Sequence, residues 1–208
     1  MEQILHRYKV VLKDKNIALS MFFGFFFLIS SLVINYYACI YATAEASNSV
    51  TDIILSNIPI INVDRIYADG FLILVLFITT VLMMQPKRMP FVLKSIALFV
   101  SIRAVFIVLT HIAPFPDPSG HEINYIYNKV NFSADLFFSG HTGLPFLLAL
   151  IFWDIPWLKW TFLTLSVIFA VSVLLGHHHY SIDVLGAYFI TYSIYKIAER
   201  FFERYDKI

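Results

Sequence analysis

Six apolar stretches, near residues 17–41, 68–84, 91–112, 136–153, 157–175 and 181–198, dominate this chain. A helix needs about 20 residues, with a range of roughly 17–25, to cross a bilayer. The pattern predicts an all-α polytopic membrane protein with six transmembrane helices. Composition agrees: 59% of the residues are hydrophobic and 14% charged, where a soluble domain carries about 25% charged residues. The length fits a single membrane domain. It divides into an N-terminal segment and first helix (1–45), an outer interfacial segment (46–67) and a five-helix region (68–208). The net charge of +1 makes no polybasic case for a nucleic-acid partner. The single cysteine, Cys39, has no internal disulfide partner and forms no zinc or redox motif.

Lysine and arginine set the expected orientation. Arg7, Lys9, Lys13 and Lys15 precede the first stretch; Lys87, Arg88 and Lys94 follow the second; Lys159 lies after the fourth; Lys196, Arg200, Arg204 and Lys207 end the chain. These twelve of the 15 basic residues fall on one side, and only Arg65, Arg103 and Lys129 fall elsewhere. The positive-inside rule then places both termini in the cytoplasm. Trp153, Trp157 and Trp160 flank the tight fourth connection as an interfacial aromatic belt would. The outward segments become 42–67, 113–135 and 176–180. Residues 53–61 are apolar but too short to span and contain Pro59, so they are expected to lie on the outer surface. Ala42-Thr43-Ala44 resembles a signal-peptidase site, but the run before it is longer than a signal peptide's apolar core.

Two polar strings interrupt this pattern at helix ends: Ser139-Gly140-His141-Thr142, and Gly176-His177-His178-His179-Tyr180-Ser181-Ile182-Asp183-Val184. Ionisable residues are costly in hydrocarbon, so such clusters mark function by default. His179 and Asp183, four apart, are expected to stack on one face at the start of the last helix. The carboxylate would fix the imidazole tautomer and leave the other nitrogen free to attack. Ser139 reads as an N-cap and Gly140 as a place where phosphate approaches the backbone, helped by first-turn N–H groups. His141 would protonate a leaving alkoxide. Arg103, in the outer half of the third helix, reads as an anion binder. Each element also has a plainer reading: a helix-terminal hydrogen bond, a simple cap, an arginine snorkelling to the interface, or a metal patch in the case of His177-His178-His179. A closed metal site would need further ligands, so neither metal nor cofactor is expected.

Taken together, these strings resemble the type 2 phosphatidic acid phosphatase superfamily, which pairs Ser-Gly-His with a later His-x-x-x-Asp whose histidine is the nucleophile. The nearer resemblance is to its sphingomyelin synthase branch, with Ser-Gly-His-Thr at 139–142 and His-Tyr-Ser-x-Asp-Val at 179–184. Asp135 stands four residues before Ser139, where that branch also tends to carry an acid. Arg103 through Thr110, followed by Pro114 and Pro116, resembles its arginine-threonine-proline segment. The similarity runs from about 90 to 195, with a weaker likeness around Pro59 and Asp64.

This resemblance implies a lipid phosphotransferase working through a phosphohistidine-type intermediate. Its catalytic residues would be His141, His179 and Asp183; Arg103, Ser139, Gly140, Asp135, His177 and Tyr180 would bind substrate. The implied partners are a membrane phospholipid donor and a lipid acceptor, ceramide or diacylglycerol-like, within the bilayer. The site would face the periplasm of a bacterial inner membrane or the lumen of a eukaryotic endomembrane. The chain departs from the wider superfamily in its cations. Eight residues, not six, separate Lys94 from Arg103; Ala104 stands where proline is usual; and Ser172-Val173 replaces the expected serine-arginine pair. One arginine suits a phosphodiester better than a dianionic monoester. A lipid phosphatase or phospholipase C-type hydrolase is the alternative, and a non-enzymatic membrane carrier using an intramembrane proton relay is the third reading.

Overall fold

The computed structural model describes residues 13–116 and 135–206, and among these every regular element is helical. The helices are α1 (Lys15–Ala44), α2 (Asp64–Met84), α3 (Met89–Leu109), α4 (Gly140–Ile151), α5 (Pro156–Leu175) and α6 (Ser181–Asp206), with a 3-10 turn at Leu55–Asn57. Arg7, Lys9, Lys129, Lys207 and most of the expected outward loop 113–135 lie outside the described residues.

The Asp14 carboxylate starts α1 by accepting the N–H groups of Asn16 and Ile17 at 2.9 and 3.4 Å. The buried face of α1 is a stripe of small residues, Gly24, Ser31, Ala38, Cys39 and Ala42. Small side chains let two helix backbones approach closely in a bilayer, and α1 packs along α3. A Cβ at Gly24 would stand 3.1 Å from that of Leu93. The opposite face of α1, including Phe22, Phe26, Leu32 and Tyr37, is exposed. The main core lies between α2, α3, α4, α5 and α6 and includes Leu74, Phe99, Phe138, Leu147, Phe152, Phe162 and Phe169.

Four helices, α1, α2, α3 and α5, are long and apolar enough to cross a membrane. The fourth apolar stretch begins at 136, but the helix α4 begins at Gly140, directly after the Ser139 cap, and has 12 residues. At 1.5 Å per residue it covers about 18 Å, short of a hydrocarbon core of about 30 Å. The preceding residues are irregular because their polar groups serve other partners: the Phe138 carbonyl accepts from Arg103, and the Ser139 N–H donates to the Asp183 carbonyl. Leu136, Phe138 and Ser139 are buried, and non-helical backbone at membrane depth is tolerated only when enclosed by protein or lining a cavity. With 26 residues, α6 is long enough to cross, but its second half carries Lys196, Glu199 and Arg200. Helix α2 starts four residues before the expected boundary at 68. The Asn62 side chain accepts the Asp64 N–H at 3.2 Å, and Asp64 sits favourably in the first turn.

Candidate active site

His179 and Asp183 meet, but not on a helical face as their spacing suggests. The helix begins at Ser181, so His179 precedes it. Asp183 is the third residue of α6, and its Oδ2 accepts the Tyr180 N–H at 2.9 Å, as the acidic member of a capping box does. The same oxygen lies 3.4 Å from His179 Nδ1. One carboxylate oxygen thus makes the helix-end hydrogen bond and stands beside the imidazole. Both side chains are buried, at 3% and 1% exposure. A proton on Nδ1 facing the carboxylate leaves Nε2 as the lone pair.

Arg103 reaches the start of α4. Its Nε donates to the Phe138 carbonyl at 2.8 Å, and its Nη2 lies 3.3 Å from the Asp135 carbonyl and 2.7 Å from the Asp135 carboxylate. Asp135 thus stands as the partner of Arg103. The space beside Gly140 is filled by that arginine, since a Cβ there would lie 3.2 Å from Nε. Ser139 caps α4 as expected, its Oγ accepting the Thr142 N–H at 3.4 Å. The buried Cys39 of α1 lies within electrostatic range of Asp135 and Arg103.

His141, in the first turn of α4, lies within electrostatic range of His179, Arg103 and His178. Its ring stacks on Tyr67 at 3.8 Å between centroids and also meets Phe71 at 4.5 Å and Phe169 at 5.8 Å. Phe169 stands six residues before the end of α5 at Leu175. Pro145 has no N–H to offer the His141 carbonyl one turn back.

The three consecutive histidines go separate ways. His177 has φ 53°, left-handed backbone that costs a non-glycine residue about 1 kcal/mol or more. Its ring stands edge-on to Phe115 at 5.4 Å. The left-handed turn folds His178 back over Gly176, whose absent Cβ would lie 2.7 Å from its ring. His178 Nε2 is 3.8 Å from Asp64 Oδ1, and its ring leans on Tyr67 at 4.5 Å. Burial, then the neighbouring His179, depress its pKa; Asp64 opposes this and His177 adds to it.

The segment between α1 and α2 braces the chain beside His179. Asp52 Oδ1 accepts the Ile54 and Leu55 N–H groups at 2.8 and 3.1 Å, and Oδ2 accepts the Ser181 N–H at 2.7 Å. One carboxylate so caps both the 3-10 turn and α6. Burial works to raise its pKa, but these donors outweigh it and hold the carboxyl below its ordinary value. The Tyr180 hydroxyl donates to the Ala113 carbonyl at 2.8 Å and accepts the Val50 N–H at 3.2 Å. Burial pushes the Tyr180 pKa up; the Val50 N–H pulls it down, and Asp183 and Asp52 push it up further. Tyr180 is thus tied to two loops by its hydroxyl.

Asp52 and Tyr67 escaped sequence reasoning. For Asp52 the only local clue is an N-cap residue before a short turn; Tyr67 carries none. Asp64 was touched only by a faint likeness. Among the described residues, no three His, Cys, Asp or Glu side chains are grouped so that they could hold a metal ion. The arrangement does supply an oriented imidazole, a second imidazole for proton transfer and a guanidinium beside a helix N-terminus. Residues 133–200 match the family model described as PAP2 superfamily C-terminal, and the match supports membership of that superfamily. No curated protein and no solved structure matches the chain.

Proposed function

Taking that superfamily as premise, we propose that this integral membrane protein moves a phospho-alcohol headgroup from a phospholipid to a lipid hydroxyl, ceramide or a related acceptor. Members of the superfamily are typically phosphatases or phosphotransferases acting through a common centre, and the observation that carries the reading here is the His179–Asp183 pair with His141 in electrostatic range. His179 Nε2 attacks phosphorus while the phosphorus–oxygen bond to diacylglycerol breaks. His141 in its protonated form gives that oxygen its proton. The acceptor hydroxyl then returns a proton to His141, its oxygen attacks phosphorus, and the phosphorus–nitrogen bond breaks to restore His179. Arg103 and the first-turn N–H groups of α4 stabilise the remaining phosphoryl oxygens.

A diester substrate is supported by charge. Arg103 meets Asp135 at 2.7 Å, so the guanidinium at this centre comes with its own carboxylate. A dianionic monoester would bring more negative charge than this centre offsets. We read α4 and α6 as completing six crossings, with both termini cytoplasmic and the site on the periplasmic or lumenal side.

The test is lipid analysis after incubating purified protein with headgroup-labelled phosphatidylcholine or phosphatidylethanolamine, with and without ceramide. Label is expected in a ceramide-dependent product, and His179→Ala should abolish it. Acceptor-independent release of phospho-alcohol would make the protein a phospholipase C-type hydrolase, and phosphatidic acid reacting faster than every diester would make it a phosphatase. Full turnover by His179→Ala would remove the phosphohistidine mechanism.

A further inference from the structure

We propose that Tyr67 is a positioning residue for the acid–base group His141, held in place by the His178–Asp64 pair; this rests on the headgroup-transfer reading above. The contact that runs from this residue to His141 is a ring stack at 3.8 Å with an interplanar angle of 22°, which sets the imidazole plane. Tyr67 is fixed in turn by α2, where its N–H is given to the Val63 carbonyl at 2.9 Å. The plane of His141 is therefore set by an aromatic ring, without a carboxylate of the kind that lies beside His179.

Tyr67 is itself backed by His178 at 4.5 Å and 41°. His178 is kept there by its Asp64 contact, by its N–H bond to the Val173 carbonyl at 2.9 Å and by the open space over Gly176. This gives the middle histidine of the triplet a use that neither the nucleophile nor the phosphate contacts require. Phe71, one turn further along α2, closes on His141 at 4.5 Å and leaves it little room to tilt.

A positioning role for a general acid makes a prediction that plain packing does not. Loss of the acid matters most when the leaving oxygen needs a proton. It matters far less when the leaving atom is sulfur, because a thiolate departs readily without one. The experiment compares phosphatidylcholine with its 3-thio analogue, in which sulfur replaces the bridging glycerol oxygen, for the wild type, Tyr67→Met, Tyr67→Phe, His178→Leu and His141→Ala. General acid catalysis contributes about 10²–10⁴-fold, and a displaced group loses part of that. The ratio of oxygen-ester to sulfur-ester kcat is expected to fall about 10–100-fold in Tyr67→Met. It should fall by a smaller factor in His178→Leu, and Tyr67→Phe, which keeps the ring, should recover most of the loss. An unchanged ratio in both Tyr67→Met and His178→Leu, while His141→Ala shows the fall, overturns the positioning role alone. An unchanged ratio in His141→Ala itself, or a wild type inert on both lipids, overturns the transfer reading on which it rests. Should Tyr67→Met not purify as a folded protein, the His178→Leu ratio decides.

Discussion

Replacing Asp52 should loosen the setting of His179 although the two residues lie 127 positions apart. Its carboxylate is 7% exposed and accepts three backbone N–H groups, from Ile54, Leu55 and Ser181. A hydrogen bond to a charged group contributes about 1.5–3 kcal/mol. The three do not add, because they share one acceptor group, and removing the carboxylate also removes its own desolvation cost. A net loss of about 3 kcal/mol is therefore expected for Asp52→Ala. Asn keeps one acceptor oxygen but turns an amide NH₂ toward a backbone donor, so Asp52→Asn should lose about half as much. For a chain of this size 3 kcal/mol corresponds to a fall of roughly 6–12 °C in Tm. The assay is thermal unfolding in detergent, with turnover of phosphatidylcholine measured in parallel, since Ser181 is two residues from both His179 and Asp183. The pH dependence follows from the depressed pKa of Asp52. Its stabilisation is complete above the ordinary carboxylate value near 3.9 and is lost as pH falls through the lower folded value. The gap in Tm between wild type and Asp52→Asn should be equal at pH 8 and pH 6 and close only in strong acid. A Tm within about 2 °C of wild type for Asp52→Ala would refute the double-capping argument.

Gly176→Ala should cost about 1–3 kcal/mol and at least tenfold in turnover, because its Cβ would stand 2.6 Å from Val63 Cγ2 and 2.7 Å from the His178 ring; normal activity would contradict the folded-back His178. The Arg88–Asp154 pair, with the Arg88 Nη1 to Asp154 Oδ1 bond at 2.8 Å, is substantially exposed, and Asp154→Asn should change stability by no more than about 1 kcal/mol, the difference shrinking in high salt. For topology, a cysteine placed at 120 in a Cys39→Ala background should react with an impermeant thiol reagent outside intact cells and one at 87 should not; the reverse pattern would invert the proposed orientation.

What the chain revealed on its own was chemistry packed into short windows. His179 and Asp183 are four residues apart, and Ser139 through Thr142 are contiguous, so local geometry almost forces their contacts whichever way the helices pack. Even there the reason differed. Spacing suggested a helical face, whereas Asp183 reaches back from the third helical position to Tyr180 N–H and to a histidine outside the helix. Asp52 and Tyr67 became visible only through packing. Tyr67 is one aromatic among 36 Phe, Tyr and Trp residues, and nothing beside it marks it as the partner of a histidine 74 positions later.

The short α4 shows what hydropathy alone does not read, namely where an apolar stretch stops being helical. Residues 136–139 are as apolar as many helical segments, with two phenylalanines and a leucine. Their backbone is withheld from the helix because Arg103 needs an acceptor at the Phe138 carbonyl, where its Nε donates at 2.8 Å. A buried guanidinium with unmet N–H groups is more costly than a few unformed helical bonds. The resulting irregular strand carries Asp135 to the other side of the same arginine, and Gly140 leaves room for the arginine to pass. Helix length, glycine and acid at this point are therefore three consequences of one buried cation, and replacing Arg103 with Lys tests them together. A lysine has no planar fork to serve both the Phe138 carbonyl and Asp135. Arg103→Lys should lower the melting temperature as well as weaken lipid phosphate binding. A variant that melts like wild type and loses only affinity would separate the arginine's structural role from its phosphate contact.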